Sequence, residues 1–426
     1  MNIFTKPTSV VNDPSCTDDY DPQSLDTDQA LARILDAVTP LTGTERIALR
    51  ASLGRVLAAD IQSSVNVPAH TNSAMDGYAV RSADVGSAGL KTLTVVGTAL
   101  AGQSHDRPIA EGECVRIMTG ATIPSGTDTV VIQEHVERNA DSIRLDGDRK
   151  AGDNVRTAGE DIRIGDVVLQ SGHRISPVEL GLLASLGIAE VPVTRRLRVA
   201  FFSTGDELRS LGEQLEPGEI YDSNRYTLYG MLTSLGAEII DMGVIRDVAQ
   251  DVRQAFEDAA ACADVIISSG GVSVGEADYI KPMLREVGRI QFWKVAMKPG
   301  RPLAFGRIRE ALFFGLPGNP VSVMVTFYQF VQPALRRLMG ENEDTGFQVT
   351  AVSTSKLKKR PGRVEYQRGV LQEGTDRGLV VKKTGSQGSG ILSSMSQANC
   401  FIILPMDCGD VEPGTEVQVQ PFNSLT

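Results

Sequence analysis

From Arg198 onward the sequence alternates two periodicities: short apolar runs of strand length, and longer stretches with apolar residues at helical spacing. Parallel strands need long crossovers, and a crossover helix covers the sheet face it spans, so this alternation predicts βαβ units around a parallel sheet. The strand runs are Val199-Ala200-Phe201-Phe202, Ala237-Glu238-Ile239-Ile240, Val265-Ile266-Ile267-Ser268, a stretch around Phe292-Trp293-Lys294-Val295, and Leu312-Phe313-Phe314. Helical periods fall near 224–235, 248–261, 279–287 and 320–339.

The flanking text has a different grain. Residues 1–27, rich in Asp, Ser, Thr and Pro, read as a mobile acidic tail. A first helix follows, capped by Asp26 or Thr27, with Leu31, Ile34, Leu35 and Val38 at helical spacing before Pro40 and Gly43. Between 60 and 150, β-type runs such as Thr92-Leu93-Thr94-Val95-Val96 and Cys114-Val115-Arg116-Ile117-Met118 are separated by turn residues. After about Phe347 the β alternation returns. The expected fold class is multidomain α/β plus β. It comprises a central three-layer α/β domain with a mostly parallel sheet (196–342), a β-rich inserted domain (59–149), a discontinuous linking domain (28–58 with 150–195) and a C-terminal β-barrel (343–426). The linking domain is expected to pair the first helix with the helical pattern near Ser176 to Leu186.

Composition removes several function classes. With 42 Lys and Arg against 53 Asp and Glu, the net charge is −11, which argues against nucleic acid as a partner. Any anion the chain binds must meet a local cationic pocket. No run reaches the roughly 18 apolar residues that span a bilayer. Met1-Asn2-Ile3-Phe4-Thr5-Lys6 lacks the apolar core of a secretory signal, so a soluble, cytoplasmic protein without a membrane partner is expected. The 5 cysteines are scattered and never form Cys-x-x-Cys, and the 4 histidines form no His-Glu-x-x-His, which argues against a disulfide framework and a zinc hydrolase. Gly271-Val272-Ser273-Val274-Gly275 matches a nucleophile elbow, but His70, His105, His135 and His173 all precede Ser273, so the Ser, acid, His order fails. There is no P-loop, and Gly385-Ser386-Gln387-Gly388-Ser389-Gly390 neither spells nor is placed like a dinucleotide fingerprint.

In an open parallel sheet, ligands bind beyond the carboxyl ends of the strands. The loops there are Ser203-Thr204-Gly205-Asp206-Glu207, Ser268-Ser269-Gly270-Gly271-Val272-Ser273-Val274-Gly275, and Leu316-Pro317-Gly318-Asn319-Pro320. Each alone reads equally well as a tight turn; three in one sheet favour a phosphate or oxyanion site. Cations stand nearby in Lys294 and in Lys298-Pro299-Gly300-Arg301-Pro302. A helix terminus gives a bound anion about 0.3 to 1 kcal/mol and a charge-assisted hydrogen bond roughly 1.5 to 3, against about 8 for micromolar binding. The lysines are therefore the pivotal candidates, and the apolar neighbours Phe292, Trp293 and Val295 argue against a merely solvated Lys294. Asp206, Glu207, Asp247 and Asp278 suit a Mg²⁺ ion bridging phosphate oxygens; singly, Asp247 and Asp278 read equally as helix caps, and Asp76-Gly77 as a hairpin turn.

Taken together these segments resemble the MoeA family of molybdenum cofactor biosynthesis proteins, the molybdopterin molybdenumtransferases, whose relatives include the C-terminal domain of gephyrin. The resemblance runs from about residue 28 to 424. It rests on Asn72-Ser73-Ala74-Met75-Asp76-Gly77-Tyr78-Ala79, Arg116-Ile117-Met118-Thr119-Gly120-Ala121, Asn154-Val155-Arg156-Thr157-Ala158-Gly159-Glu160-Asp161-Ile162, the three loops, and Lys298-Pro299-Gly300.

The resemblance implies an elongated homodimer and a Mg²⁺-dependent transferase in which molybdate and adenylylated molybdopterin yield molybdenum cofactor and AMP. It assigns molybdate or phosphate oxygens to Lys294 and Lys298, and metal and substrate positioning to Glu207, Asp247 and Asp278. Asp76 and Thr119 are expected to reach the cleft from the other subunit, with Arg156 and Asp161 in the same cleft. Ser203, Thr204, Gly205, Ser269, Gly270, Gly271, Ser273, Gly275, Arg301, Pro317, Gly318, Asn319 and Pro320 are expected to bind substrate, Pro317 and Pro320 leaving the N–H groups of the last helix aimed at the anion. Molybdopterin adenylyltransferase and molybdenum enzymes or their chaperones are implied partners. Two alternatives stand beside this reading: molybdopterin adenylylation, or a non-catalytic gephyrin-like scaffold. The chain departs from the family pattern at His70-Thr71, where Phe-Asp is usual, and at Val248-Ala249, where Asp-Pro often follows Asp247.

Overall fold

The computed structural model describes residues 24–270, 286, 288–342, 346–375 and 378–422. The tail up to residue 23, and all but Glu286 of the helix expected near 279–287, fall outside them. Two compact units emerge: Met1–Glu45, Gly54–Val56 and Val193–Thr426 form one, and Arg46–Leu53 with Leu57–Pro192 the other.

The first unit holds a six-stranded sheet with strands β1 (Arg198–Thr204), β2 (Glu238–Ile245), β3 (Val265–Ser269), β4 (Gly288–Lys294), β5 (Pro302–Ile308) and β6 (Ala311–Leu316), in the spatial order β2-β1-β3-β6-β5-β4. β2, β1, β3 and β6 run parallel, whereas β5 is antiparallel to both its neighbours. Helices α1 (Ser223–Leu235), α2 (Ala249–Cys262) and α3 (Pro320–Thr326) belong to the same domain. Side chains alternate across the sheet as strand geometry requires. Phe201, Ile267 and Phe314 pack with Leu228 and Leu232 of α1 and Val321 of α3; Phe202, Ile266 and Phe313 pack with Val252 and Phe256 of α2. Two cores on opposite faces make the domain three-layered. Full burial of each such side chain contributes about 1.5 to 3 kcal/mol, which is why near-continuous apolar runs specify a sheet covered on both sides.

Two features differ from expectation. The sheet contains β5, which is not among the strand runs read from the sequence; Gly306 interrupts its apolar pattern. A Cβ at Gly306 would lie 2.2 Å from the Arg289 carbonyl of β4, so the close approach of two strands requires glycine there. The helix Thr27–Asp36 does not join the segment near Ser176: its Ala30 and Ile34 lie in the core of the α/β domain.

The same unit ends in a closed five-stranded barrel. Val364–Glu373 pairs with Leu379–Lys383, which pairs with Val349–Ser353, then Glu416–Pro421, then Cys400–Leu404, which returns to Val364–Glu373. Closure leaves no edge in the ring, although the two-residue strand Met297–Lys298 adds in parallel to Val364–Glu373 from outside.

The second unit carries a six-stranded sheet ordered Thr129–Ile132, Gly77–Val80, Glu113–Ile117, Leu90–Ala99, Ser142–Asp146, Val136–Asn139. Asp76-Gly77 is not a hairpin turn, since Gly77 opens a strand hydrogen-bonded on both sides and a Cβ there would lie 2.1 Å from the Val131 carbonyl. The helix Pro177–Ser185 begins with a capping box between Ser176 and Glu179. No helix among the described residues is long and apolar enough to cross a membrane.

Candidate functional site at the mouth of the central sheet

Strand directions decide which side chains share an edge. The carboxyl ends of β2, β1, β3 and β6 point one way; β4 ends at that edge, and β5, running oppositely, begins there. Asp247, Glu207, Ser269, Pro317, Lys294 and Arg301 therefore leave the sheet at one mouth although they are spread from position 207 to position 317.

The loops at this mouth are packed together by glycine. Gly270 has φ +90° and a Cβ on it would lie 2.5 Å from the Thr204 carbonyl, so the backbone just after β3 rests directly on the end of β1. At Gly205, with φ +152°, a Cβ would meet the Glu207 carboxylate at 2.6 Å. Ser203 and Thr204 are buried, and their hydroxyl oxygens have no hydrogen-bond partner among the described residues. A residue the sequence reading missed ties the mouth together. Asn224 Nδ2 donates to Ser269 Oγ at 2.9 Å and to the Gly318 carbonyl at 2.6 Å, while Asp222 caps α1 by accepting from the Arg225 N–H. The signal available was the Asp222-Ser223-Asn224 run, a cap at the start of a helix that follows a sheet-end loop.

Carboxylates gather on the β1 and β2 side. The Asp247 N–H donates to Asp206 Oδ1 at 3.3 Å, and α2 begins without a side-chain cap, so Asp247 is not its capping residue. Partial withdrawal from water, followed by the charges of Asp206 and Glu207, raises the Asp247 carboxyl above its ordinary range. Among the described residues no three His, Cys, Asp or Glu side chains form a ready metal cage. Asp278, with Gly271, Ser273 and Gly275, lies outside those residues.

Cations gather on the other side. A cavity of about 810 Å³ opens between the sheet mouth and the barrel, and Lys298, Arg301, Pro317, Gly318 and Asn319 line it from the α/β side. The barrel contributes residues the sequence reading did not single out: Lys358, Arg363, Glu365 and Lys383, and the loop from Gly385 to Ser389. That loop is shaped by Arg368, fully buried, whose guanidinium donates to the carbonyls of Gln387 (3.1 Å), Ser386 (3.3 Å) and Gly388 (2.9 Å) and to Ser394 Oγ (3.0 Å). Burial lowers the Arg368 pKa to about 10, leaving it charged at neutral pH. Gly300, at φ +99°, seats the Lys298-Pro299-Gly300 corner, whose Lys298-Pro299 bond is cis, against Thr326.

Two expectations are corrected here. Lys294 is exposed rather than enclosed and does not line the cavity, because β4 is the edge strand of the sheet. Pro320 opens α3 after Asn319, but the Val321 N–H donates to the Ser389 carbonyl at 3.0 Å and is therefore not aimed at an anion.

In the second unit, the Thr119 N–H and Oγ1–H both donate to Asp76 Oδ1, at 2.7 and 2.8 Å, and these bonds hold the Asp76 carboxyl below its ordinary range. Arg156 pairs with Asn72 across a short antiparallel ladder, and the Asp161 N–H donates to the Val67 carbonyl. The Thr71 hydroxyl accepts from the Ala158 N–H at 3.3 Å and so fastens the loop that bears Arg156 and Asp161.

Three family models cover the chain: the MoeA N-terminal region (domain I and II) at residues 25–187, a probable molybdopterin binding domain at 200–337, and the MoeA C-terminal region (domain IV) at 350–422. The chain is 45% identical over 403 residues to the molybdopterin molybdenumtransferase of Haemophilus influenzae, covering 94% of this chain and 99% of that one. The chain belongs to the MoeA family of molybdopterin molybdenumtransferases. Its fold matches the crystal structure of the molybdopterin biosynthesis MoeA protein from Pyrococcus horikoshii with a TM-score of 0.83, at 29% identity, covering 94% of this chain and all of that one. Gephyrin of Dictyostelium discoideum is 34% identical over 452 aligned positions, which cover 93% of this chain and 62% of gephyrin. As in the MoeA family models, sequence on both sides of the central α/β domain belongs to the match, including the barrel that supplies half the cavity wall.

Proposed function

We propose that this molybdopterin molybdenumtransferase inserts molybdenum from molybdate into adenylylated molybdopterin and releases AMP, acting in the cytoplasm as a homodimer whose clefts each receive Asp76 and Thr119 from the second copy. One observation carries the reading: in a chain of net charge −11, the described residues that line the cavity at the sheet mouth include Lys298, Arg301, Lys358, Arg363 and Lys383 against one carboxylate, Glu365. Clustered cations in a cleft raise the local concentration of an oxyanion that the acidic exterior repels.

Lys298 and Arg301 are the cavity cations nearest the sheet loops in sequence, and their charge-assisted hydrogen bonds suit molybdate or phosphate oxygens. As the link between pterin phosphate and AMP breaks, negative charge grows on the departing phosphate, and cations fixed beforehand stabilise it without reorganising. Glu207 and Asp247 fit a hard divalent cation: burial first, then the charges of Asp206 and Glu207, raise the Asp247 carboxyl, and a bound cation would offset both effects. Bound there, Mg²⁺ would neutralise phosphate charge. The buried cysteines need take no part: burial pushes the Cys114 thiol up to about 12 and Cys400 up to about 11, and the sulfur ligands are the pterin's own ene-dithiolate. Substrate delivery by molybdopterin adenylyltransferase, and product transfer to molybdenum enzymes or their chaperones, follow from this place in the chemistry.

The test is incubation of the protein with adenylylated molybdopterin, molybdate and Mg²⁺. Molybdate-dependent AMP release is expected; its absence overturns the reading, and consumption of ATP in a parallel incubation with ATP and molybdopterin would favour the adenylylating alternative.

A further inference from the structure

We propose that Glu365, on the barrel, is the positioning residue for Lys298, holding its ammonium at the cavity wall; the inference rests on the oxyanion reading of that cavity. Backbone pairing first brings the two together. Met297–Lys298 runs parallel to Val364–Glu373 with Lys298 opposite Glu365, and the Val364 N–H donates to the Ala296 carbonyl at 2.9 Å. The carboxylate is then fixed. The Glu365 side chain is only 9% exposed, and its Oε1 accepts from Gln367 Nε2 at 3.0 Å; the same amide donates to the Lys358 carbonyl at 2.9 Å, which sets its direction.

Lys298 Nζ lies 3.8 Å from that Oε1, and its side chain is 48% exposed. This separation is a Coulombic tether rather than a hydrogen bond, so Glu365 orients the ammonium without consuming its protons. Lysine needs such a tether because its charge sits at the end of a flexible four-carbon stem. A buried carboxylate in a cavity for oxyanions is otherwise repulsive towards the ligand and expensive to desolvate.

The two possible roles of Glu365 have opposite signs. If it only adds negative charge, Glu365→Gln tightens molybdate binding; if it positions Lys298, the same change weakens it. We expect Glu365→Gln to raise the KM for molybdate roughly three- to tenfold, the effect of freeing one ordered side chain, with kcat within about twofold of wild type. Glu365→Asp should recover most of the loss. In a Lys298→Gln background Glu365→Gln should add less than about twofold, since the tether then has nothing to hold. An unchanged or lowered KM for Glu365→Gln, or full additivity in the double variant, overturns the proposal. Calorimetric titration of each variant with molybdate alone repeats the comparison without turnover. If wild type releases no AMP the functional reading fails, while the titration still decides this one. Where Glu365→Gln does not fold, Gln367→Met removes the carboxylate's second anchor and should raise the molybdate KM or dissociation constant in the same direction; no change would equally contradict it.

Discussion

Asn224 joins two segments that lie 45 and 94 residues further along the chain, its one amide nitrogen donating to Ser269 Oγ at 2.9 Å and to the Gly318 carbonyl at 2.6 Å. It acts as a cross-brace between the end of β3 and the entry to α3. Asn224→Ala leaves both acceptors without this donor, and unfolding in urea should show a loss of roughly 1 to 3 kcal/mol. AMP release should fall further than stability does, about tenfold or more, because displaced loops no longer hold the substrate in reach. Asn224→Asp keeps the size but sets a carboxylate against the Gly318 carbonyl at the position of the lost donor, and should be no better than Ala.

The glycines of the mouth are unequal, and a pair of variants exposes this. Gly270→Ala places a Cβ 2.5 Å from the Thr204 carbonyl at a positive φ, so it should destabilise by about 1 to 3 kcal/mol and push the ends of β3 and β1 apart. At Gly318 a Cβ meets nothing within 4 Å, and Gly318→Ala should melt within a degree or two of wild type. Equal melting losses in the two variants would contradict the packing described for the mouth.

Asp76 supplies a pH test in the second unit. Its folded pKa lies below the ordinary 3.8, chiefly through the Thr119 N–H and then the Thr119 hydroxyl. A depressed carboxyl contributes stability that is present above the unfolded value and lost as pH falls through the folded one. Thr119→Val removes the hydroxyl donor alone, so any melting difference from wild type that arises from Asp76 should be present at neutral pH and shrink below about pH 3.8. A difference that grows on acidification would show that Thr119 acts through something other than this carboxylate.

Much of the central domain was legible because its information is local. Runs such as Val199–Phe202 and Val265–Ser268 declare buried strands, the helical periods between them fix their crossovers, and strand polarity then places the three loops on one edge. β5 was hidden by Gly306, whose reason for being glycine is a neighbouring strand rather than a turn. The barrel's share of the cavity was hidden for a related reason. Lys358, Arg363, Glu365 and Lys383 read as ordinary charged β-text, and only the folded chain brings them opposite Lys298 and Arg301. Lys294 misled in the opposite way: apolar neighbours in sequence suggested enclosure, but an edge strand presents one side to water. The two halves of the sheet mouth, acidic at Asp206, Glu207 and Asp247 and cationic towards Lys298, are products of topology rather than of any one motif.

The central claim is that the cavity between sheet mouth and barrel is an oxyanion cradle. Crystals soaked in molybdate, with anomalous scattering recorded at the molybdenum edge, test it most directly. The account predicts a dominant peak within hydrogen-bonding reach of Lys298, inside the cavity bounded by Pro317–Asn319 and the Gly385–Ser389 loop. A dominant peak at the opposite edge of the sheet, or none in the cavity at a molybdate concentration that supports turnover, would contradict it.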